Sequence, residues 1–510
     1  MNAFSEKVLL TLAEPVEDAP VSDQKRLLAA LAEQGYDPVE IPLSVLQQLY
    51  PLCRKGDITA TLVYRGSGWT AVNVESGDTR RSHYGLAVDY GSTTIVMQLV
   101  DLREGTVIAQ ERRVNGQVAY GTDILSRITY TMEDPAHAGE LQRATVETFH
   151  SLLDDLTEQT GIDARRLPVM ILSGNTAMIH FLLKLNAWTV FAAPYAPVTA
   201  DPGWLWAKEV GMDFGGLLYV IPAASNYVGG DIVSGLLCLE MHKKEEVSLF
   251  FDIGTNGELV IGNRDWMLAG AGAAGPALEG YISRFGMRAA DGAIDHLQIR
   301  DGVLEYTTIG GKKPKGICGS GIIDLLAQMR LAGWINVAGE LEPSASERIV
   351  LLEEEQQYAV IYAYGEESDS GENLFFAQTD IKQYLDTKAA AYTMVESLME
   401  TAGCREEDLD RYYLSGAFAA HSDLESAITI GMFPDLPREK YVRVANSSLE
   451  GARLMLLNRE KLAEVQWLTE HMYCVQFASI PDFLVRMQAA KFIPHTDMSR
   501  YPVVAAKLAK

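Results

Sequence analysis

The chain has 510 residues, with an ordinary globular composition of 48% hydrophobic and 22% charged residues, a formal net charge of −25 and a pI near 4.8. That length accommodates about three domains with full cores, and so acidic a surface repels a phosphate backbone, which argues against nucleic-acid binding. No apolar run approaches the about 18 residues of a membrane span, and the first residues, with Glu6 and Lys7, do not read as a signal peptide.

Residues 1–82 read as a small α/β unit with its linker: a strand at 8–12, a helix capped by Asp23 and running to residue 31, and strands at 58–63 and 69–74 paired around Arg65-Gly66-Ser67-Gly68. A first lobe, 83–245, opens with a three-strand meander at 86–89, 95–102 and 107–114. The pattern then predicts a helix over 138–160, an apolar strand at 168–172 ending in Ser173-Gly174-Asn175-Thr176, and a helix over 177–185. A further helix, 227–238, opens on Gly229-Gly230-Asp231. By analogy, three antiparallel strands, helix, strand, helix is the ribonuclease H-like half of an actin-like fold. The second lobe with its C-terminal extension, 246–510, begins with another hairpin. A helix leaves from Gly275-Pro276, another follows Gly316-Ile317-Cys318-Gly319-Ser320-Gly321, and a third covers 380–402. A strand at 412–414 runs into Ser415-Gly416-Ala417-Phe418, and the tail mixes a helix at 448–457 with a strand and helix over 473–490.

Two of these hairpins are copies of one pattern. Val88-Asp89-Tyr90-Gly91-Ser92-Thr93-Thr94 and Phe251-Asp252-Ile253-Gly254-Thr255-Asn256-Gly257-Glu258 each end an apolar strand in Asp-x-Gly and start another. A turn of Gly and small hydroxyl residues lets N–H and O–H groups close on phosphate oxygens. Gly91, Ser92, Thr93 and Thr94, with Gly254, Thr255 and Asn256, are therefore candidate phosphate binders of ATP. Asp89 and Asp252 are candidates to hold a hydrated Mg²⁺; an Asx-turn is the plain alternative. Gly416, Ala417 and Phe418 are placed where adenosine would lie against backbone. Asp231 is a candidate to orient or deprotonate an attacking water, with an N-cap as its alternative, and Asn175 to position that water. Glu279 could meet the ribose or simply face solvent. The Gly-rich stretch at 316–321 lacks the Lys of a P-loop and serves either phosphate contact or close helix packing. The five cysteines, Cys53, Cys238, Cys318, Cys404 and Cys474, form no Cys-x-x-Cys pair; free thiols in a reducing cytoplasm are expected, with no iron–sulfur cluster in this chain.

With these motifs in hand, the chain resembles the superfamily of acetate kinases, sugar kinases, heat-shock chaperone ATPases and actin, and more narrowly the reductive activators of corrinoid proteins. The matching stretches include Gly85-Leu-Ala-Val-Asp-Tyr-Gly-Ser-Thr-Thr94, Ala119-Tyr-Gly-Thr-Asp-Ile-Leu-Ser-Arg127, Gly174-Asn-Thr-Ala-Met-Ile-His180, Val228-Gly-Gly-Asp-Ile-Val233, Asp252-Ile-Gly-Thr-Asn-Gly-Glu258 and Ser415-Gly-Ala-Phe418, in the family's order. The resemblance implies an α/β, two-lobed actin-like ATPase fold preceded by a small α/β domain. It implies an ATP- and Mg²⁺-dependent ATPase that helps return a Co(II) corrinoid protein or corrinoid methyltransferase to Co(I). Such activators usually carry an N-terminal iron–sulfur domain; none is legible here, so an external ferredoxin-type electron donor is expected. A homodimer is left open. A small-molecule kinase of the same superfamily needs the same loops, and a nucleotide-binding interaction protein without turnover is the third reading.

Overall fold

The computed structural model describes all residues except 1, 19, 55, 255, 273–279, 281, 417–420 and 510, and the side chain of 478. The predicted helix at Gly275-Pro276, and Glu279, lie outside the described residues. The chain divides into two compact units, Met1–Glu240 with Ser447–Met472, and Met241–Asn446 with Tyr473–Lys510.

In the first unit a four-stranded sheet orders Ser5–Leu10, Ile58–Tyr64, Trp69–Ser76 and Val39–Glu40. Helices Asp23–Glu33 and Leu43–Leu52 cover it, burying Leu27, Leu31, Val45 and Leu49 against Val8, Ile58 and Leu62. The first helix is capped by the side chain of Ser22, which accepts from Lys25 N–H, rather than by Asp23. Asp23 sits one residue inside, where its carboxylate faces the helix N-terminus and pairs with Arg26 and Arg54.

The second sheet of this unit orders Val107–Val114, Thr94–Asp101, Tyr84–Tyr90, Val169–Gly174, Leu217–Val220 and Gly203–Trp206. Its first three strands are the expected antiparallel meander, and the next two run parallel to Tyr84–Tyr90. Helix His137–Thr160 buries Leu141, Thr145, Phe149, Leu152 and Leu156, one stripe at spacings of three and four. Gly161, at φ 72°, ends it in a left-handed cap. Helix Ile124–Glu133, missed in the sequence, starts from a reciprocal cap between Asp123 and Ser126.

The second unit repeats the arrangement. Met267–Gly272, Gly257–Gly262 and Ser248–Ile253 form an antiparallel meander, and Arg411–Ser415 and Tyr441–Arg443 continue it in parallel. Two three-stranded sheets are inserted, one around Ala293–Arg300 and one around Gln357–Ala363. Helices Gly319–Leu331 and Gln378–Thr401 share the large apolar core with the central sheet. Among the described residues no helix is long and apolar enough to cross a membrane.

Helix Ser447–Leu457 follows the second unit's last parallel strand but packs in the first unit, on helix Gly230–Leu239. Hydrophobic spacing reveals that it is a helix, not where it docks; the sequence reading ran 246–510 as one stretch. The docking depends on Gly451: a Cβ there would stand 1.8 Å from the carbonyl oxygen of Ser234. Because the obstacle is backbone, it cannot rotate away. Gly451→Ala is expected to cost about 3 kcal/mol, read as a lower denaturant midpoint at unchanged m-value.

Candidate functional site

Asp89 lies near the C-terminal end of strand Tyr84–Tyr90, and loop 91–94 follows it. Gly91 is required there, since a Cβ would meet the carbonyl oxygen of Thr94 at 2.5 Å. Buried Asn115 braces the loop: its Nδ2 donates to Gly91 O (3.1 Å) and its backbone N–H to Thr93 O (2.9 Å). The hydroxyl of Thr93 is buried and has no hydrogen-bond partner among the described residues. Leaving such a donor unsatisfied costs about 1–3 kcal/mol, which an acceptor reaching the loop would relieve. Behind it, buried Gln117 reaches Tyr90 Oη (3.2 Å) and Thr145 Oγ1 (2.7 Å) and accepts from the buried Arg127 guanidinium (3.3 Å). The sequence showed the stretch ending at Arg127 as a motif without a role. Its fully buried cation, one side chain removed from Tyr90, is what that motif supplies.

Three more elements converge on Asp89. Its register partner on the parallel strand is Ser173. Ser448 donates from Oγ to Asp89 Oδ1 at 2.9 Å. Ser173 Oγ lies 2.9 Å from Ser448 Oγ, 2.7 Å from Ser234 Oγ and 3.1 Å from Gly230 O. Asp231 sits in the first turn of Gly230–Leu239, where the N-cap is Gly229, so Asp231 is not itself the cap. Its Oδ1 accepts from Ile232 N–H at 3.0 Å. Burial first, and the charge of Asp89 second, push the Asp231 carboxyl up to about 7. A Cβ on Gly229 would lie 2.7 Å from Asp231 Oδ1 and 2.8 Å from Asn175 Cα, so this glycine lets the two candidate residues sit side by side. Asn175 Oδ1 is engaged as the N-cap of helix Thr176–Leu182, accepting from Ala177 N–H at 3.0 Å. The structure thus brings Asp89, Asn175 and Asp231 together. His180 is structural: Nδ1 donates to Thr176 O (2.7 Å) and Nε2 accepts from Val198 N–H (3.1 Å).

In the second unit Asp252 is near the end of strand Ser248–Ile253, with Ser415 as its parallel partner. The turn closes through Gly254 N–H to Asn256 O at 2.9 Å. Glu258, which the sequence reading left without a role, stands directly opposite Asp252 and is buried; paired positions on antiparallel strands share a face. Gly416 has φ 92°, and a Cβ there would lie 2.2 Å from Ile253 O and 2.9 Å from Asp252 Oδ1. Thr255, Ala417 and Phe418 lie outside the described residues. The Gly-rich stretch at 316–321 serves close packing, since a Cβ on Gly321 would meet Ile294 O at 2.4 Å.

Two cavities, of about 450 and 600 Å³, flank Trp69 in the N-terminal sheet, and neither is lined by a residue of the Asp-x-Gly loops. Phosphate loops present backbone to an open surface, so these hollows do not mark the site. All five cysteines are free thiols. Among the described residues no group of three or more His, Cys, Asp or Glu is gathered for a metal; the acidic pairs are donor sets of the kind a hydrated divalent cation takes.

Comparison with known proteins covers nearly the whole chain. The model described as the RACo linker region matches residues 1–81, the RACo middle region 84–244, and the C-terminal domain of RACo, the ASKHA domain, 246–505. A solved structure of a reductive activator for corrinoid, iron–sulfur protein is 34% identical with a TM-score of 0.88, covering 99% of this chain and 81% of that one. The corrinoid activation enzyme RamQ of Eubacterium limosum is 30% identical over 424 residues, 81% of this chain and 70% of the relative. A [Co(II) methylated amine-specific corrinoid protein] reductase of Methanosarcina barkeri is 24% identical over 421 residues, 75% of this chain and 71% of the relative. The meanders with their parallel strands, the paired Asp-x-Gly loops and these matches make the chain a member of the RACo family, built on the actin-like ASKHA fold.

Proposed function

We propose that this chain is an ATP-binding, Mg²⁺-dependent ATPase that helps return the Co(II) form of a corrinoid protein in a methyltransferase system to Co(I). The observation that carries the reading is the likeness, over 99% of the chain, to a solved reductive activator. The names of two further relatives, which refer to corrinoid activation and to Co(II) corrinoid protein reduction, support it.

The residues present fit Mg-ATP. The Thr93 hydroxyl needs an acceptor, and Asp89 with Asp231 forms a like-charge pair whose mutual repulsion a cation would relieve. In this reading Asp89 and Asp252 hold Mg²⁺ through water. Gly91, Ser92, Thr93 and Thr94, with Gly254, Thr255 and Asn256, take phosphate oxygens, and Gly416, Ala417 and Phe418 support adenosine. Bound Mg-ATP supplies a phosphoryl group whose transfer to water gives ADP and phosphate. Asp231 would take the proton of that water, from its place beside Asp89 at the start of helix Gly230–Leu239. Asn175 holds the start of the helix beside it. Reduction is separate chemistry: one electron from a ferredoxin-type protein converts Co(II) to Co(I), and nucleotide turnover gates the complex in which it passes.

Anaerobic ADP release from Mg-ATP is expected to rise several-fold with a Co(II) corrinoid protein from the same organism, and to fall by about tenfold or more in Asp89→Asn. Turnover that ignores the corrinoid protein but needs a hydroxyl or carboxyl metabolite would favour a kinase instead. A second expectation concerns pH. The folded-state pKa of Asp231 lies above the ordinary aspartate value, so its stabilising contribution is complete below about pH 4 and is lost as pH rises through about 7. Between pH 5 and pH 8 the ligand-free wild type should therefore lose about 2 °C of Tm relative to Asp231→Asn, measured by calorimetry.

A further inference from the structure

Asp89 receives a hydrogen bond from Ser448, 359 residues later in the chain. The donor is not a surface hydroxyl that happens to lie near. Ser448 is 5% exposed, and Ser173 and Ser234, which complete the cluster, are fully buried. Each hydroxyl has one proton. That of Ser448 goes to Asp89, because a carboxylate only accepts, and that of Ser234 goes to the carbonyl oxygen of Asp231 (2.9 Å). The proton of Ser173 serves Gly230 O or one of its two serine neighbours. Ser448 comes within reach because helix Ser447–Leu457 crosses Gly230–Leu239 with Gly451 against the Ser234 carbonyl.

We propose that Ser448 is a positioning residue for Asp89: delivered by helix Ser447–Leu457 and seated on Ser173, its hydroxyl fixes the rotation of the Asp89 carboxylate in the orientation that holds a divalent cation. The proposal rests on the reading of Asp89 as a cation-holding group. The torsion that turns a carboxylate is broad and offers little preference of its own. A donor anchored between two helices and a strand supplies that preference, as partners of metal-holding carboxylates do. The competing account is that the three hydroxyls only join the helices to the sheet, in which case Ser448 matters for stability and not for the cation.

The test titrates Mn²⁺ into the full-length protein with a non-hydrolysable ATP analogue present, reading free Mn²⁺ by electron paramagnetic resonance. Ser448→Ala and Ser448→Cys both remove the strong donor, and Cys keeps the volume. Both are expected to weaken Mn²⁺ binding about tenfold, while thermal melts confirm that the proteins are folded at the titration temperature. Should Ala fail to fold, Cys alone gives the answer. Wild-type Mn²⁺ affinity in Ser448→Cys overturns the proposal, whether or not Ala weakens it, because packing would then be the whole effect. Asp89→Asn separates the two levels: if it abolishes Mn²⁺ binding while Ser448→Cys leaves it intact, only the positioning role falls. If Asp89→Asn also binds as wild type does, the cation reading falls and takes the proposal with it.

Discussion

A carboxylate at the end of a buried strand must find donors or a cation, because an unpaired charge out of water costs several kcal/mol. Asp89 and Asp252, both half-buried, face that constraint in the same setting. Asp89 and Asp252 each end the first strand of a meander, and each has a serine as register partner on the parallel neighbour: Ser173 for Asp89 and Ser415 for Asp252. Each serine is followed by a glycine held against the aspartate's own strand. A Cβ on Gly174 would lie 3.0 Å from Tyr90 O, and one on Gly416 2.2 Å from Ile253 O. The missing Cβ lets the end of the parallel strand lie close against the end of the aspartate's own strand. The rest of each site is arranged around that approach.

The copies then diverge. Ser173 joins a buried hydroxyl cluster that includes Ser234 and Ser448, whereas Ser415 Oγ donates to Ala445 O at 3.3 Å. The first copy also gains Gly229, Gly230 and Gly451, each with a hypothetical Cβ within 3 Å of backbone atoms. Backbone-to-backbone contacts of this kind leave no side chain to rearrange, so Asp231 and Asn175 are placed by the chain path itself. Rotamer freedom is then confined to the carboxylate and hydroxyl tips.

Much of this was readable beforehand because it is local. The meander strands, helix His137–Thr160 and both Asp-x-Gly turns follow from alternation, helical spacing and glycine placement, and the observed boundaries lie within a few residues of those expected. The repeat could have been followed one step further. Ser-Gly recurs after both parallel strands, at Ser173-Gly174 and Ser415-Gly416, and pairing the two would have marked the serines as partners of the aspartates. What could not be read is long-range. Nothing around Ser448 announces a partner 359 residues away. Arg127 looks like an ordinary helix residue until its complete burial is seen. Glu258 gains meaning only from the hairpin register that sets it opposite Asp252.

That register also bears on the electrostatics. Two unit charges about 4 Å apart repel by about 4 kcal/mol at the effective dielectric of a protein surface, more than one neutral hydrogen bond returns. Serine donors alone therefore do not balance a like-charge pair; a proton or a cation must. In the first unit burial, and the charge of Asp89 after it, shift Asp231 upward and so favour a proton in that role. A divalent cation shared by the pair would displace that proton, so cation affinity and Asp231 protonation are linked through the same oxygens. Asp231 can accept a proton from water only while it is ionised. A cation held by Asp89 would thus also favour the ionised form of its neighbour Asp231, the form that can act as a base.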